Sequence, residues 1–400
     1  MKRQVSNQNI RRFLLLKHGL IGKHRFSGKE GVYEFIRQAG CIQYDPVDVC
    51  GKSPELVLQA RVKGFQKSML YDLLYKDRRL VDHFDKQLAI FPTEDWKYFH
   101  YNRENNYSNR SQEEIEKIKP EILRIIRDKG PVCSADIGFD EKIDWYWAPT
   151  KLSRAALEYL YFHGDLVIAR KQGTKKYYDL IQNHMDGAVL QAENPFSNHM
   201  EYLIWNVYRR IGSVGLLPSR ASDAYLGIAE LKAGARSQTF GELLQADKIV
   251  EIEVPELPYP LYMQSVDLPL LERACSDDKF TPRLEFIAPL DNLIWDRKLL
   301  RAIFGFEYTW EIYTPEHKMQ YAHYTLPLLY GTSFIGRAEI LRDRKNCVLT
   351  VKNIWLEKNV RLTKKLETAL GSAYKRFAKF NGCTDIEVGT YHPAGDSGKT

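Results

Sequence analysis

Apolar side chains are most regularly spaced between residues 112 and 180. Isoleucines recur at helical spacing from Glu113 to Lys129, and Gly130 followed by Pro131 ends this helix. A short helix is expected around Ser134 to Ile137. The pattern predicts a long helix with one buried side and a short helix behind it.

A third helix and a hairpin complete this segment. Pro149 and Thr150 open a helix whose apolar residues lie along one side, and Gly164 ends it. Two extended stretches, 166–170 and 177–180, then flank a turn and predict a β-hairpin. Three helices followed by a two-stranded hairpin are typical of a winged helix-turn-helix unit.

The same order of elements recurs on both sides of this segment. The first set has helical patterns at 8–20, 29–39, 53–63 and 66–79 and an extended stretch at 88–91. The third set has helical patterns at 199–211, 219–226 and 236–244 and extended stretches at 249–254 and 260–264. We therefore predict three tandem winged-helix units, at 1–100, 111–182 and 195–265.

Beyond residue 280 the pattern changes to extended segments separated by Gly and Pro. They lie at 283–287, 308–313, 321–329, 334–342 and 347–355. An amphipathic helix at 360–380 closes this domain, which spans 280–390, and 388–400 is expected to be a loose tail. The predicted fold class is α+β, with a small C-terminal antiparallel sheet or β-barrel and a C-terminal helix.

Composition narrows the class of protein. The chain has 400 residues, of which 44% are hydrophobic and 27% charged, as in ordinary globular proteins. Lys and Arg outnumber Asp and Glu by 58 to 51, and this net charge of +7 permits an anionic partner without requiring one. The sequence has no run of 18 apolar residues and no signal-peptide core, so we expect a cytoplasmic protein without a membrane segment.

Metal and phosphate motifs are absent from the sequence. The six cysteines form no CxxC pair and the histidines no HExxH motif, so we predict no metal site. Gly398, Lys399 and Thr400 look like the end of a phosphate-binding loop. The glycine that such a loop requires at position 393 is a proline, so this interpretation is rejected.

Basic residues cluster on the second unit. Arg170, Lys171, Lys175 and Lys176 surround the predicted hairpin turn, where they are suited to neutralise phosphates. Lys151 and Arg154 fall on the polar side of the preceding helix. We expect these six residues to contact DNA; the alternative is a solvated turn, since charge runs usually face water.

A candidate for chemistry lies directly after the second helical pattern, at residues 41–46. Alternation along a short strand places Ile42 and Tyr44 on one side and Gln43 and Asp45 on the other. Pro46 lacks a backbone donor and is expected to stop the strand, leaving an amide and a carboxylate side by side at an accessible edge. The alternative is that Asp45 begins a turn and Gln43 bonds to the backbone.

One reaction needs little more than these two groups. A purine alkylated at N7 or N3 is cationic, so its glycosidic bond breaks without a proton being supplied to the leaving base. A carboxylate can stabilise the positive charge that develops on the sugar and can orient or deprotonate a water molecule. An amide offers both a donor and an acceptor, with which it can hold that water or the edge of the lesion.

The chain resembles the AlkZ/YcaQ family of winged-helix DNA glycosylases over essentially its whole length. The matching segments are 42–47, 74–84, 89–92, 289–297 and 311–315, with Lys318, Tyr324, Leu326-Pro327 and Gly336-Arg337. The resemblance implies three winged helices, a C-terminal β-barrel and a monofunctional glycosylase that excises alkylated purines. Gln43, Tyr44 and Asp45 match the family's Gln-x-Asp version, which implies a broader range that includes unhooking of interstrand crosslinks.

By this resemblance Asp45 activates water or stabilises the sugar cation, and Gln43 positions the water or the lesion. It implies no cofactor, and its partner is double-stranded DNA with alkylated or crosslinked bases. We expect a monomer associated with the nucleoid through DNA. Two other hypotheses are a non-catalytic winged-helix regulator, commonly a dimer, and a metal-free nuclease, which no carboxylate cluster supports.

The sequence departs from the family pattern at one position. Lys318 is followed by Met319, where many members carry Lys-Arg, so one expected cation is missing. The turn between two predicted strands is still expected to present His317 and Lys318 to DNA, with a solvated hairpin tip as the alternative. Arg297 is a further candidate for DNA contact; its alternative is an internal ion pair with Asp296.

Overall fold

The computed structural model describes residues 2–105, 110–146 and 148–392. The described chain divides into two compact units. The first, which we call the discontinuous unit, takes its described residues from Met1–Leu70 and Leu203–Thr400. The second, the central unit, is Tyr71–Tyr202. No helix in these described ranges has the length and apolar character needed to cross a membrane.

The N-terminal part of the chain is mainly helical. Its elements are β1 (Lys2–Gln4), α1 (Asn7–Lys17), β2 (Phe26–Ser27), α2 (Gly28–Ala39), β3 (Ile42–Gln43), α3 (Ser53–Gln59), β4 (Val62–Lys63) and α4 (Lys67–Tyr75). All four predicted helices are present. Phe13 on α1 and Ile36 on α2 have no exposed surface, so the apolar sides of these helices form the core of this part.

The described part of the central unit contains three antiparallel strand pairs. Its elements are β5 (Leu80–Asp85), β6 (Gln87–Pro92), α5 (His100–Asn105), α6 (Gln112–Lys129), β7 (Lys142–Ile143), β8 (Thr150–Lys151), α7 (Leu152–His163), β9 (Leu166–Gln172), β10 (Lys175–Leu180) and α8 (Gly187–Leu190). The strand pairs are β5–β6, β7–β8 and β9–β10. The helices α6 and α7 and the β9–β10 hairpin confirm the predicted elements. Strand β5, which pairs with β6, was missed.

A core of apolar side chains joins α6, α7 and β9 of the central unit. Ile122 and Ile126 on α6 pack in the same cluster as Leu157 and Leu160 on α7. Gly164 ends α7 with a left-handed backbone, φ 83°, as its position after the apolar stripe predicted. The predicted helices and hairpin follow one another in the expected order, but the β7–β8 pair before α7 was not predicted, and Thr150 and Lys151 form β8 instead of opening the helix. The assignment of winged-helix units stays a prediction.

The chain continues in the discontinuous unit with a small sheet. The elements are α9 (His199–Val214), α10 (Ala233–Gln245), β11 (Ile249–Glu253), β12 (Leu261–Gln264) and α11 (Leu268–Cys275). Strand β11 pairs antiparallel with β12 and parallel with β1. The N-terminal strand was not predicted, because three residues carry too short a pattern to be recognised.

The C-terminal part is a five-stranded sheet with two helices. Its elements are β13 (Leu284–Phe286), α12 (Arg297–Phe304), β14 (Thr325–Tyr330), β15 (Ser333–Asp343), β16 (Val348–Leu356), α13 (Lys364–Asn381) and β17 (Asp385–His392). The strand order follows the chain, from β13 to β17. Strands β13 to β16 pair antiparallel, but β17 lies parallel to β16, with α13 as the crossover between them. The sheet is therefore mixed, which corrects the antiparallel expectation.

Two further expectations for this part were wrong, and one helix was not predicted. Residues 388–392, assigned to a loose tail, belong to β17, while 393–400, with the rejected phosphate-loop motif, lie outside the described residues. The stretch 308–313 is not a strand: Tyr308 is buried and its hydroxyl donates to the Thr325 carbonyl at 2.7 Å. Helix α12 was missed, although Asp296 caps its N-terminus and Gly305 its C-terminus.

Candidate functional site

Gln43 and Asp45 follow helix α2 in the discontinuous unit. Gln43 is the last residue of the short strand β3, and Asp45 comes two residues later. Ile42 and Tyr44 are buried, but Gln43 is buried as well, at 9% exposed, so burial does not alternate along the strand and Gln43 does not lie at the accessible edge that we expected. The strand ends at Gln43, before Pro46, so Asp45 belongs to the loop that follows. Asp45 is half-buried.

Side chains from distant parts of the same unit fix the backbone that leads into this loop. The Asn292 amide donates to the Cys41 carbonyl at 2.8 Å, and Arg209 donates to the Gly40 carbonyl at 2.6 Å. Gly40 has φ 74°, a left-handed conformation that suits glycine. The entry to the loop is therefore held by hydrogen bonds that no local pattern reveals.

Asp45 is a partly desolvated carboxylate. One of its oxygens accepts the backbone N–H of Val47 at 2.8 Å, which is the turn that the alternative interpretation expected. Burial raises the pKa of Asp45 above its ordinary value of 3.8, and the bond from Val47 opposes that rise. Turn formation thus occupies one oxygen and leaves a carboxylate that is suited to balance a nearby positive charge.

Asp48 ties the loop to the C-terminal sheet. Its carboxylate lies 3.2 Å from Arg342 Nη2 and 2.6 Å from Arg344 Nη2, and it also accepts the Gly51 N–H at 3.1 Å. The interpretation of the sequence missed this residue. Because Arg342 is 294 residues away, no spacing along the chain signals the contact.

Tyr324 is a buried neighbour of the loop. Burial raises the pKa of its phenol well above 10, and the negative charges of Asp45 and Asp48 raise it further. The phenol is therefore neutral, and it is buried within electrostatic reach of the candidate carboxylate.

In the central unit, three of the predicted DNA-binding residues come together. Arg154, Lys175 and Lys176 line one cleft of about 380 Å³, with Glu158 and Tyr178. Burial lowers the pKa of Lys176, and the charge of Glu158 opposes this shift. Three cations at one cleft are suited to contact with an anionic backbone, although Arg154 is already paired with Glu158 at 3.1 Å.

The other three predicted DNA-binding residues of the central unit differ in how accessible they are to a ligand. Arg170 is exposed, with its guanidinium 3.7 Å from the centre of the Tyr177 ring. Lys151 is exposed and pairs with Asp140 at 2.5 Å. Lys171 contradicts the expectation of a solvent-facing cation, because its side chain is 8% exposed and lies 2.5 Å from the carboxylate of Asp82.

Arg297 also contradicts the expectation of DNA contact. Its guanidinium donates to the Pro289 carbonyl at 2.7 Å and lies 4.6 Å from the centre of the Tyr308 ring. Burial lowers its pKa. Asp296 accepts the Leu299 N–H at 2.8 Å as a helix cap, so the Asp296 carboxylate stabilises the N-terminus of α12.

His317 and Lys318 are exposed on a 3₁₀ turn, Glu316–Lys318, where they remain available to a ligand. Within the ranges that the structure describes, no three His, Cys, Asp or Glu side chains are grouped so that they could hold a metal ion.

Comparison with known proteins decides the family. A family model described as DNA glycosylase AlkZ-like matches residues 36–380, most of the chain. The protein belongs to the AlkZ-like DNA glycosylase family. The match confirms the resemblance drawn from the motifs. Membership of this family supports DNA glycosylase activity.

A solved structure shares the fold of this AlkZ-like glycosylase. The DNA glycosylase AlkZ of Streptomyces sahachiroi is 13% identical and superposes with a TM-score of 0.62. The match covers 97% of this chain and 100% of that one. At this identity the likeness concerns the fold alone, so the lesion and the catalytic residues must be argued from the chain itself.

Proposed function

We propose that this AlkZ-like glycosylase hydrolyses the N-glycosidic bond of cationic purines, alkylated at N7 or N3, in duplex DNA. The observation that carries the proposal is the half-buried carboxylate of Asp45, on a loop that is anchored before it at Cys41 and after it at Asp48. A cationic base leaves without a general acid, so one carboxylate and one water molecule complete the reaction.

Asp45 acts on the sugar in this mechanism. As the glycosidic bond lengthens, positive charge develops on the deoxyribose, and an adjacent carboxylate with few water neighbours stabilises it strongly. The same carboxylate orients or deprotonates the attacking water. Its bond from Val47 fixes the orientation of the carboxyl group, so little reorganisation is needed during the reaction.

Gln43 positions the water or the lesion. Its side chain is 9% exposed, at the end of β3 and two residues before Asp45. A primary amide donates and accepts at once, which allows it to bridge a water molecule and a base edge. This role is a proposal that follows from residue type and placement.

We propose duplex DNA with alkylated or crosslinked bases as the partner of a monomer, bound by three winged-helix units. In the central unit, the cleft lined by Arg154, Lys175 and Lys176 supports contacts with phosphates. Unhooking of an interstrand crosslink belongs to the same proposal. A crosslinked nucleotide cannot be extruded fully, so this activity requires an open site in which Asp45 reaches the sugar from the side.

The lesion class is tested with four duplexes that differ at one nucleotide. One carries N7-methylguanine, one a neutral hypoxanthine, one an N7–N7 guanine crosslink and one undamaged guanine. We expect abasic sites, seen as breaks after mild alkali, at the cationic lesions and at the crosslink. Excision of hypoxanthine at a comparable rate would contradict the mechanism, since that base needs a proton to leave. Binding to all four duplexes without excision would favour the regulator.

A further inference from the structure

Tyr313 is the most exposed large apolar or aromatic side chain of the described residues, at 80%. Its ring packs edge-on against Trp310, with 5.8 Å between ring centres and 70° between planes. Trp310 in turn packs edge-on against Tyr324 at 6.3 Å. The three rings form a row that runs from the surface to the buried ring of Tyr324, which is 4% exposed.

A buried carboxylate holds the segment that carries Tyr313. Glu311 is 6% exposed, and its two carboxylate oxygens accept the backbone N–H groups of Gln320 at 2.6 Å and Tyr321 at 2.9 Å. These bonds close the segment 312–319, which we call the Glu311 loop. Met319, 7% exposed, anchors its far end in the core. The loop is thus a fixed frame around an exposed ring.

A fixed aromatic ring binds a flat partner with little loss of conformational freedom. The indole N–H of Trp310 is buried and has no acceptor among the described residues, so packing alone positions that ring. Lys318 adds a positive charge to the Glu311 loop, His317 adds another when protonated, and Glu316 adds a negative one. The loop is therefore suited to a base, with modest attraction for phosphate.

We propose that Tyr313 stacks on a nucleobase next to the alkylated purine and fills the space that opens when the lesion approaches Asp45. The inference rests on the proposed function and adds a specificity residue to it. A planar base matches the exposed face of a tyrosine ring, and stacking of this kind tolerates any sequence. The row of Trp310 and Tyr324 leads from Tyr313 to a buried phenol that senses the charge of Asp45, which supports a stacked base near the candidate site.

The test uses a duplex in which N7-methylguanine sits on a 2′-fluorinated sugar, whose glycosidic bond resists cleavage. A 2-aminopurine beside the lesion reports stacking through its fluorescence. We expect the wild-type protein to change this fluorescence and Tyr313→Ala to abolish the change. The dissociation constant for this duplex should rise about tenfold in Tyr313→Ala, in the range of one lost base stack. Tyr313→Trp should restore the signal and most of the affinity.

Two controls separate stacking from other roles. The slope of affinity against salt should be the same in Tyr313→Ala and wild type, since no charge is removed. Thermal unfolding should also be unchanged, because the ring is largely exposed. A row of rings that served only as a contact between two copies of the chain would show as a dimer without DNA, lost in Tyr313→Ala, and would overturn the inference.

Failure of the inference is distinguishable from failure of the proposed function. If wild-type protein excises ordinary N7-methylguanine while Tyr313→Ala has the same excision rate, affinity and fluorescence, only the stacking role is wrong. If wild-type protein excises no cationic purine, the proposed function is wrong.

Discussion

The Asp48 carboxylate lies 3.2 Å from Arg342 Nη2, so strand β15 holds the loop on which Asp45 lies. Fixing both ends of that loop limits the positions that the Asp45 carboxyl group can take. Displacement of a reacting group by about 1 Å can lower a rate by up to about 100-fold, so contacts far from the reacting atoms matter.

Asp48→Asn should therefore lower the single-turnover excision rate about tenfold. The neutral amide leaves the partly buried Arg342 without its ionic partner, which should cost about 1 to 2 kcal/mol of unfolding free energy. Asp343→Asn is the matched control, because the Asp343 carboxylate caps the exposed turn at Lys345 and Asn346 instead. Equal rates for the two variants would show that Asp48 does not position the loop.

The pH dependence of excision should reflect Asp45. Burial raises its pKa above the ordinary 3.8, and only the ionised carboxylate stabilises a cation. The rate should fall as the pH drops through this raised pKa, so the acid limb lies above that of an ordinary aspartate. Single-turnover rates across a pH series measure it. An acid limb at or below pH 3.8 would contradict the desolvated carboxylate.

The same shift fixes the sign of the effect on stability. Between the unfolded and the folded pKa of Asp45, the folded state binds more protons, so this residue's contribution to stability falls as the pH rises through that interval. Above it, the charged carboxylate destabilises the fold. At pH 7, Asp45→Asn should consequently unfold at the same temperature as wild type or at a higher one. In acid, where wild-type Asp45 is protonated, the difference in unfolding temperature between the variant and wild type should shift in favour of wild type.

Phosphate contact in the central unit can be tested at Lys175, an exposed residue that lines the cleft with Arg154 and Lys176. Lys175→Ala should weaken binding to damaged and undamaged duplexes equally and reduce the salt slope by about 1. Lys117→Ala removes an exposed lysine from α6, outside the cleft lining, and should leave the slope unchanged. An unchanged slope in Lys175→Ala would remove the cleft from the DNA interface.

Stability should depend on the ion pair of Arg61 and Asp291, in which neither side chain has exposed surface and the charged atoms lie 2.6 Å apart. Arg61→Met leaves a buried carboxylate without its partner and should cost about 3 to 5 kcal/mol. Asp140→Asn breaks the exposed pair with Lys151 and should cost less than about 1 kcal/mol. Urea unfolding of both variants measures the contrast, and equal midpoints would contradict it.

Elements with a long one-sided apolar pattern were predictable from the sequence. Helix α7 is an example, since its stripe and the Gly164 that ends it can be recognised without any tertiary contact. Helix α12 has only eight residues, and its caps, Asp296 and Gly305, were the signals that should have revealed it. The aromatic alternation at 308–313 predicted a strand, but Tyr308 is fixed instead by its bond to Thr325.

Long-range contacts determine which side chains are buried and paired, and these contacts could not be predicted from the sequence. Lys171 and Arg297 have the residue types of phosphate ligands, yet Asp82 and the Pro289 carbonyl hold them inside their units. The candidate pair Gln43 and Asp45 was found because both residues lie within one short segment. Asp48 was missed because the partners that give it a role, Arg342 and Arg344, are almost 300 residues away.

The central claim is that the Asp45 carboxylate performs the reaction. Single-turnover excision of N7-methylguanine, measured beside the affinity for the same duplex, tests it most directly in wild type and Asp45→Asn. We predict a rate at least about 1,000-fold lower in the variant, within the range for loss of a catalytic acid or base, and an affinity within about twofold. A variant that excises at a tenth of the wild-type rate or faster would contradict the account.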